Sequence, residues 1–303
     1  MEAARDHVPV KLSSPEAAYA IVTDQAEIAV VFVHGFLGNP RSTWIDFQHL
    51  VDRQQDRSPL WSKCDLFFYS YPSHDQIKPL AEDLLTFLRN VVLVFGLRAA
   101  PRVFEYPSGF TLAPKVERKE PYKHLVFVGN STGAVIIRQA VVEELRSLDE
   151  SGQLALWNAA KDKSSSSPIV RALLRFFAPA HRGVLGAGWL GVALSLPVLR
   201  LFSTVWLHSN PLFRSLSSGN PVLEDLKATT ERLHEKYPNI PALTARSVFG
   251  SQEAVVIIGG YQHDTVDPTV PEQSHTSVCK PTHAYTKPLE FVTNALFGTA
   301  AGV

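Results

Sequence analysis

The sequence predicts a three-layer α/β domain built around a mostly parallel central sheet. Two observations carry this. Short, apolar, β-branched runs alternate with longer segments whose apolar residues recur at helical spacing. Strand, helix and strand in that succession imply parallel neighbours joined by right-handed crossovers. At 303 residues the chain can bury one large core, and nothing in its composition divides it. A single domain over residues 1–303 is expected, with an insert at about 184–215.

The elements follow in order. Residues 27–33 form a buried strand that ends at His34-Gly35, and residues 64–71 a second, stopped by Pro72. Ile77, Leu80, Ala81, Leu84 and Leu88 then mark an amphipathic helix to about Val92. Residues 98–122 hold four prolines and a glycine and read as an irregular insertion. Residues 124–128 are a strand, and a helix follows the glycines at 129 and 133 to about Leu148. The serines at 164–167 and Pro168 read as a surface linker. Another apolar run covers 171–178. A helix with Pro near its start covers 221–237, and a strand covers 242–249. The run at 254–258 is also strand-like, but only four residues separate it from its predecessor. That is too short for a parallel crossover, so it is either a hairpin partner or an irregular loop. Residues 288–297 form the core of a closing helix.

Composition removes several function classes. Hydrophobic residues at 45% with charged residues at 19% are ordinary for a globular protein. Twenty-nine basic residues balance 29 acidic ones, which argues against a nucleic-acid footprint. Two cysteines, Cys64 and Cys279, do not make a disulfide framework, so a reducing, cytoplasmic setting is expected. The first residues contain no apolar core of a secretory signal. Eleven histidines occur without His-Glu-x-x-His, and no Cys-x-x-Cys is present, so neither metal nor organic cofactor is expected.

The chemistry centres on Gly129-Asn130-Ser131-Thr132-Gly133. Gly-x-Ser-x-Gly between a strand and a helix is a nucleophile elbow, a turn so tight that only small residues fit two positions either side of the serine. Ser131 needs a base, and in this arrangement the chain order is serine, acid, histidine. Three histidines lie beyond Gly250: His263, His275 and His283. His275 sits in a polar loop just ahead of the closing helix, where a base can lean over the elbow, whereas His283 begins that helix. For the acid, Glu253 follows a strand and lies 22 residues before His275, while Asp264 and Asp267 compete from the loop between. The choice between Glu253 and Asp264 stays open at this level. His34-Gly35-Phe36-Leu37-Gly38 follows the first central strand, so Phe36 N–H and Thr132 N–H are the expected oxyanion donors.

These motifs, with Thr43-Trp44, Pro179-Ala-His-Arg-Gly183 and His275-Thr-Ser-Val-Cys-Lys280, occur in an order that resembles one family. It is the serine-esterase and lipase branch of the α/β-hydrolase superfamily, including glycosylphosphatidylinositol inositol-deacylase-like proteins. The resemblance runs from about residue 28 to 297. It implies an α/β-hydrolase fold with Ser131 as nucleophile, His275 as base, and Phe36 and Thr132 as oxyanion donors. For the acid it leans to Glu253. Asn130 stands where these enzymes often have histidine, and Ala180 interrupts the usual Pro-His-Arg-Gly at the pocket rim.

Residues 184–199 are uncharged, and apolar character continues past Arg200 to Phe213. A membrane crossing here would put Ser131 and His275 on opposite sides, so the stretch is expected to be an apolar helical lid, the alternative being plain packing onto the core. Trp189, Leu190, Leu194, Leu199, Phe202 and Trp206 would line it, and reversible contact with a membrane surface is an option. The expectation is a carboxylic-ester hydrolase for an apolar acyl ester or lipid, without nucleic-acid partners. The alternatives are an acyltransferase using the same serine and a non-catalytic hydrolase-fold binding protein.

Overall fold

The computed structural model of the chain describes residues 8–12, 18–23, 26–44, 47, 51, 60–94, 104–105, 120–160, 167–185 and 209–300. In chain order the elements are β1 (Val8–Leu12), β2 (Tyr19–Val22), β3 (Ile28–Val33), β4 (Cys64–Tyr69), α1 (Ile77–Phe87), β5 (Phe104–Glu105), β6 (His124–Asn130), α2 (Thr132–Glu150), α3 (Gln153–Ala159) and β7 (Leu173–Phe177). They continue with α4 (Pro211–Ser215), α5 (Pro221–Lys236), β8 (Ala245–Val248), β9 (Gly250–Gln252), β10 (Thr265–Val266), β11 (Val270–Ser274) and α6 (Lys287–Ala300). One sheet runs β10-β8-β7-β6-β3-β4-β2-β1-β5, and β11 pairs separately with β9.

From β4 through β10 every pairing in the large sheet is parallel, and β2, β1 and β5 extend it antiparallel. Every residue of β3 and β4 is buried, because helices cover both faces. Asp65 within β4 is tolerated because its carboxylate accepts from Thr23 N–H (2.9 Å) and Tyr122 O–H (2.6 Å). On one face α2 packs against α1 and α5. The other face is covered by α6, with Phe291 against Phe177 (5.1 Å), and by Trp44, which packs on Phe32 (5.2 Å). Each buried ring of this kind adds about 1.5–3 kcal/mol of hydrophobic stabilisation.

The predicted alternation is present, with differences at the edges. The helix begun at Ile77 passes at Phe87 into one π turn, Leu88–Val92, closed by Leu93 N–H to Leu88 O (2.8 Å). Residues 242–243 belong to a 3₁₀ turn rather than to the strand. The run at 254–258 is an irregular loop with one antiparallel bridge, Val256 to Val184. Its strand-like composition fails because the Glu253 carboxylate takes the N–H groups of Val255 and Val256. Strands β1, β2, β5, β9, β10 and β11 and helix α3 were not expected from the sequence, whereas α4 falls in the insert expected to be helical. The lid-lining residues, most of the 98–122 insertion and the serines at 164–166 lie outside the described residues. Among the described residues no helix is long and apolar enough to cross a membrane.

Candidate active site

The elbow is strained and held on several sides. Ser131 lies at φ 51°, ψ −117°, outside the usual regions for a side-chain-bearing residue. Such a residue costs on the order of 1–3 kcal/mol and persists only where its surroundings over-determine it. Here Ser131 N–H donates to Phe177 O (3.0 Å), and Ser131 O accepts from Ala134 N–H (3.2 Å) and Ala180 N–H (3.3 Å). Asn130 Nδ2 donates to the same Phe177 carbonyl (3.3 Å). The two glycines serve close approach. A Cβ at Gly129 would stand 2.7 Å from Ala134 Cα, and one at Gly133 would stand 2.4 Å from the carbonyl oxygens of Val33 and His34.

Ser131 is also the N-cap of α2, a position where serine ordinarily spends its hydroxyl on the helix. Its unusual φ goes with the absence of any side-chain cap bond, and Oγ instead lies 3.0 Å from His275 Nε2.

His275 and Glu253 arrive together through the small parallel pair. Ser274 is in register with Gln252, so the next residue of each strand leaves the pair side by side. Gly250 permits this approach, since a Cβ there would sit 2.1 Å from Gln273 O. His275 Nδ1 lies 3.1 and 3.0 Å from the two Glu253 oxygens. Both side chains are buried, Glu253 completely. Glu253 Oε1 also accepts from Val255 N–H (2.8 Å) and Val256 N–H (3.0 Å). Burial works against ionisation of this carboxyl. The hydrogen bond from His275, with the two backbone donors, outweighs it and holds the group below the ordinary glutamate range. An ionised Glu253 accepts only, so Nδ1 carries the proton and the Nε2 lone pair faces the serine hydroxyl.

The loop expected to complete the oxyanion hole lies against Ser131. A Cβ on Gly35 would fall 2.8 Å from Asn130 Oδ1 and 3.1 Å from Ser131 Cβ, so Phe36 follows a residue in direct approach to the elbow. Gly38 N–H closes the turn on Gly35 O (3.0 Å), and Leu37, at φ 56°, donates its N–H to Ser73 Oγ (3.1 Å). Thr132 is the first residue of α2, where N–H groups lack intrahelical acceptors. His34, buried at the base of the loop, stacks on Tyr71 (4.3 Å) and accepts the Tyr71 hydroxyl at its carbonyl (2.9 Å). Burial lowers the His34 imidazole to about 4, so it is neutral near pH 7 and donates from Nδ1 to Gly35 O (2.8 Å).

The other candidates are engaged elsewhere. Asp264 binds Arg138 (2.7 and 2.8 Å), and Asp267 binds Arg246 (2.7 Å). His263 stacks on His234 (3.8 Å), and His283 is exposed. His181 is buried beneath α2, with Nε2 3.3 Å from Ala134 O. Sequence reasoning missed Tyr71 and Arg138. Neither carries a local motif, and each is recognisable only through a partner 37 or more residues away. Among the described residues no group of three or more His, Cys, Asp or Glu could hold a metal ion.

The chain is similar to the mature form of the lipase BlEst2 of Bacillus licheniformis, at 13% identity over 92% of this chain and 97% of that one, with a TM-score of 0.50. It is also similar to the peroxisomal alpha-beta-hydrolase Lpx1 of Saccharomyces cerevisiae, at 8% identity over 93% and 81% of the two chains, with a TM-score of 0.50. At such identities these likenesses speak for the fold alone. No curated protein matches the chain. The model of the alpha/beta hydrolase family matches residues 30–288, a span that begins within β3 and holds the elbow, Glu253 and His275. With that match over most of its length, the chain belongs to the alpha/beta hydrolase family.

Proposed function

We propose that the protein is a serine carboxylic-ester hydrolase acting through an acyl-enzyme on an apolar acyl ester or lipid. One observation carries the reading: Ser131 Oγ, His275 Nε2, His275 Nδ1 and the Glu253 carboxylate form an unbroken line of contacts at 3.0–3.1 Å. Ser131 Oγ attacks the acyl carbon while its proton passes to His275 Nε2. Glu253 holds the resulting imidazolium, and the N–H groups of Phe36 and Thr132 stabilise the oxyanion. Donors of this kind contribute about 2.7–4 kcal/mol each. As the tetrahedral species collapses, the leaving alkoxide takes the proton from Nε2 and the acyl group stays on Ser131. Water then attacks the acyl-enzyme, giving a proton to His275. The acid departs as Ser131 recovers that proton.

The apolar preference rests on residues 184–213, uncharged but for Arg200. A fluorophosphonate probe tests the mechanism. The parent protein should be labelled and Ser131→Ala should not, and folded parent protein that resists labelling would sink the reading. Preference for short over long p-nitrophenyl esters would remove the apolar acyl chain from it.

A further inference from the structure

Arg138 is completely buried, seven residues beyond Ser131 and two turns along the helix that the nucleophile opens. Its guanidinium is spoken for on two edges. Nη1 donates to Leu243 O (2.9 Å), and Nη2 lies 2.7 and 2.8 Å from the two oxygens of Asp264. The Phe176 and Tyr261 rings pack against it at 5.5 and 5.2 Å. Asp264 stands eleven residues after Glu253 and eleven before His275, at the midpoint of the segment carrying both. Its carboxylate also accepts from Ala245 N–H (2.7 Å) and Tyr261 N–H (3.0 Å), and Asp264 N–H returns to Tyr261 O (3.1 Å). Gly260 lets the loop close over it, since a Cβ there would come within 2.7 Å of Asp264 Cβ. Beside the pair, His181 bonds Ala134 O in the first turn of α2 (3.3 Å).

A buried ion pair is a poor device for stability, because desolvating both charges offsets most of their attraction and an apolar pair often does as well. It does fix direction here, since the guanidinium is tied through Nη1 to Leu243 O and through Nη2 to both oxygens of a carboxylate that two backbone N–H groups also hold. We propose that Arg138 and Asp264 are positioning residues, which lock the middle of the 253–275 segment to the nucleophile's own helix and so set Glu253 and His275 against Ser131. The inference rests on the serine mechanism proposed above. Its effect falls on turnover rather than on substrate binding, because neither residue touches the reacting atoms.

The test uses the full chain carrying Arg138→Lys, Asp264→Asn, or Arg138→Met together with Asp264→Leu. Turnover of a short p-nitrophenyl ester, the thermal midpoint and the NMR signal of the His275 Nδ1 proton are read on each. Expected are folded variants in which kcat falls about tenfold or more with little change in KM, and in which the imidazole proton signal shifts or broadens. A folded apolar pair with the parent's kcat and imidazole signal would overturn the proposal. Failure of all three variants to fold would also overturn it, since the pair would then specify the fold and not the site. The proton signal reports the His275–Glu253 contact without turnover. An inactive parent that still loses this signal in the variants would therefore refute the serine mechanism and leave the positioning role standing.

Discussion

Glu253→Gln separates the charge of the acid from its shape, and the surrounding hydrogen bonds dictate how the amide must sit. Two backbone donors, Val255 N–H at 2.8 Å and Val256 N–H at 3.0 Å, converge on Oε1. With the amide nitrogen in that place, both would face another donor. Each buried donor left unsatisfied costs about 1–3 kcal/mol, so this orientation is disfavoured by about 2–6 kcal/mol. The amide oxygen therefore takes the Oε1 position, and the NH₂ group takes that of Oε2, 3.0 Å from His275 Nδ1. The amide oxygen also lies 3.1 Å from Nδ1, but its lone pairs are already taken by the two backbone donors, so the NH₂ group facing Nδ1 favours the other tautomer, with the proton on Nε2. Nε2 then meets Ser131 Oγ, 3.0 Å away, as a donor and cannot accept its proton.

The expected outcome is a kcat loss of about 10,000-fold, equivalent to about 5.5 kcal/mol of barrier, the scale of a wrong tautomer in serine triads. The folded protein should survive, because volume and backbone contacts are retained. Turnover of a short p-nitrophenyl ester measures the loss, and ¹⁵N chemical shifts of His275 identify the tautomer directly. A Glu253→Gln variant within tenfold of the parent would refute the reasoning, as would a folded Asp264→Asn variant that loses all activity while Glu253→Gln keeps it.

Gly133→Ala places a Cβ 2.4 Å from two backbone carbonyls that cannot move without displacing β3 and the oxyanion loop. It should lower stability by about 1–3 kcal/mol and abolish fluorophosphonate labelling, with parent-like labelling and midpoint as the contrary result. Stability should also fall on mild acidification. His34, whose ring packs on Tyr71, is lowered to about 4 chiefly by burial. His181, facing Arg138, Asp264 and Tyr261, is lowered to about 3 by burial first and by the Arg138 charge second. Both rings are neutral in the folded state, and the unfolded chain binds protons more readily. Their contribution is complete above pH ~6.5 and declines below it, by about 2 kcal/mol per histidine down to pH 5. Urea midpoints at pH 7.5 and 5 measure this, and a His181→Gln variant should show a shallower decline. The lowered carboxyls of Glu253 and Asp264 act in the same direction, but only as the pH falls through the ordinary carboxylate range.

The parts of the site that could be read from the sequence are those made by local chemistry. A glycine-flanked serine between a strand and a helix, and His-Gly-x-x-Gly after a strand, specify turns whose backbone needs are visible in four or five residues. The antiparallel edge was hidden for the opposite reason. Strand β1 contains Pro9, a residue that weakens a strand reading, and β5 is only two residues long. The run at 254–258 misleads because apolar composition does not reveal that Glu253 has claimed the N–H groups of Val255 and Val256. His181 was legible as part of a motif but not in its place. Nothing local shows that its ring turns inward beneath α2 toward Ala134 O.

The choice between two carboxylates shows where such reading stops. Glu253 and Asp264 share one loop segment, and both lie below the ordinary carboxylate range in spite of burial. What separates them is the partner each faces. Asp264 is held by Arg138, 126 residues away, and by two backbone N–H groups, which leaves its oxygens committed. Glu253 is delivered to His275 by the register of a parallel pair in which Ser274 meets Gln252. Spacing along the chain could not decide this, since 11 and 22 residues are both ample for a loop to reach an imidazole. Asp264 is thus no reserve for Glu253: freeing it would break the link between α2 and the loop, and with it the placement of the histidine it would be asked to hold.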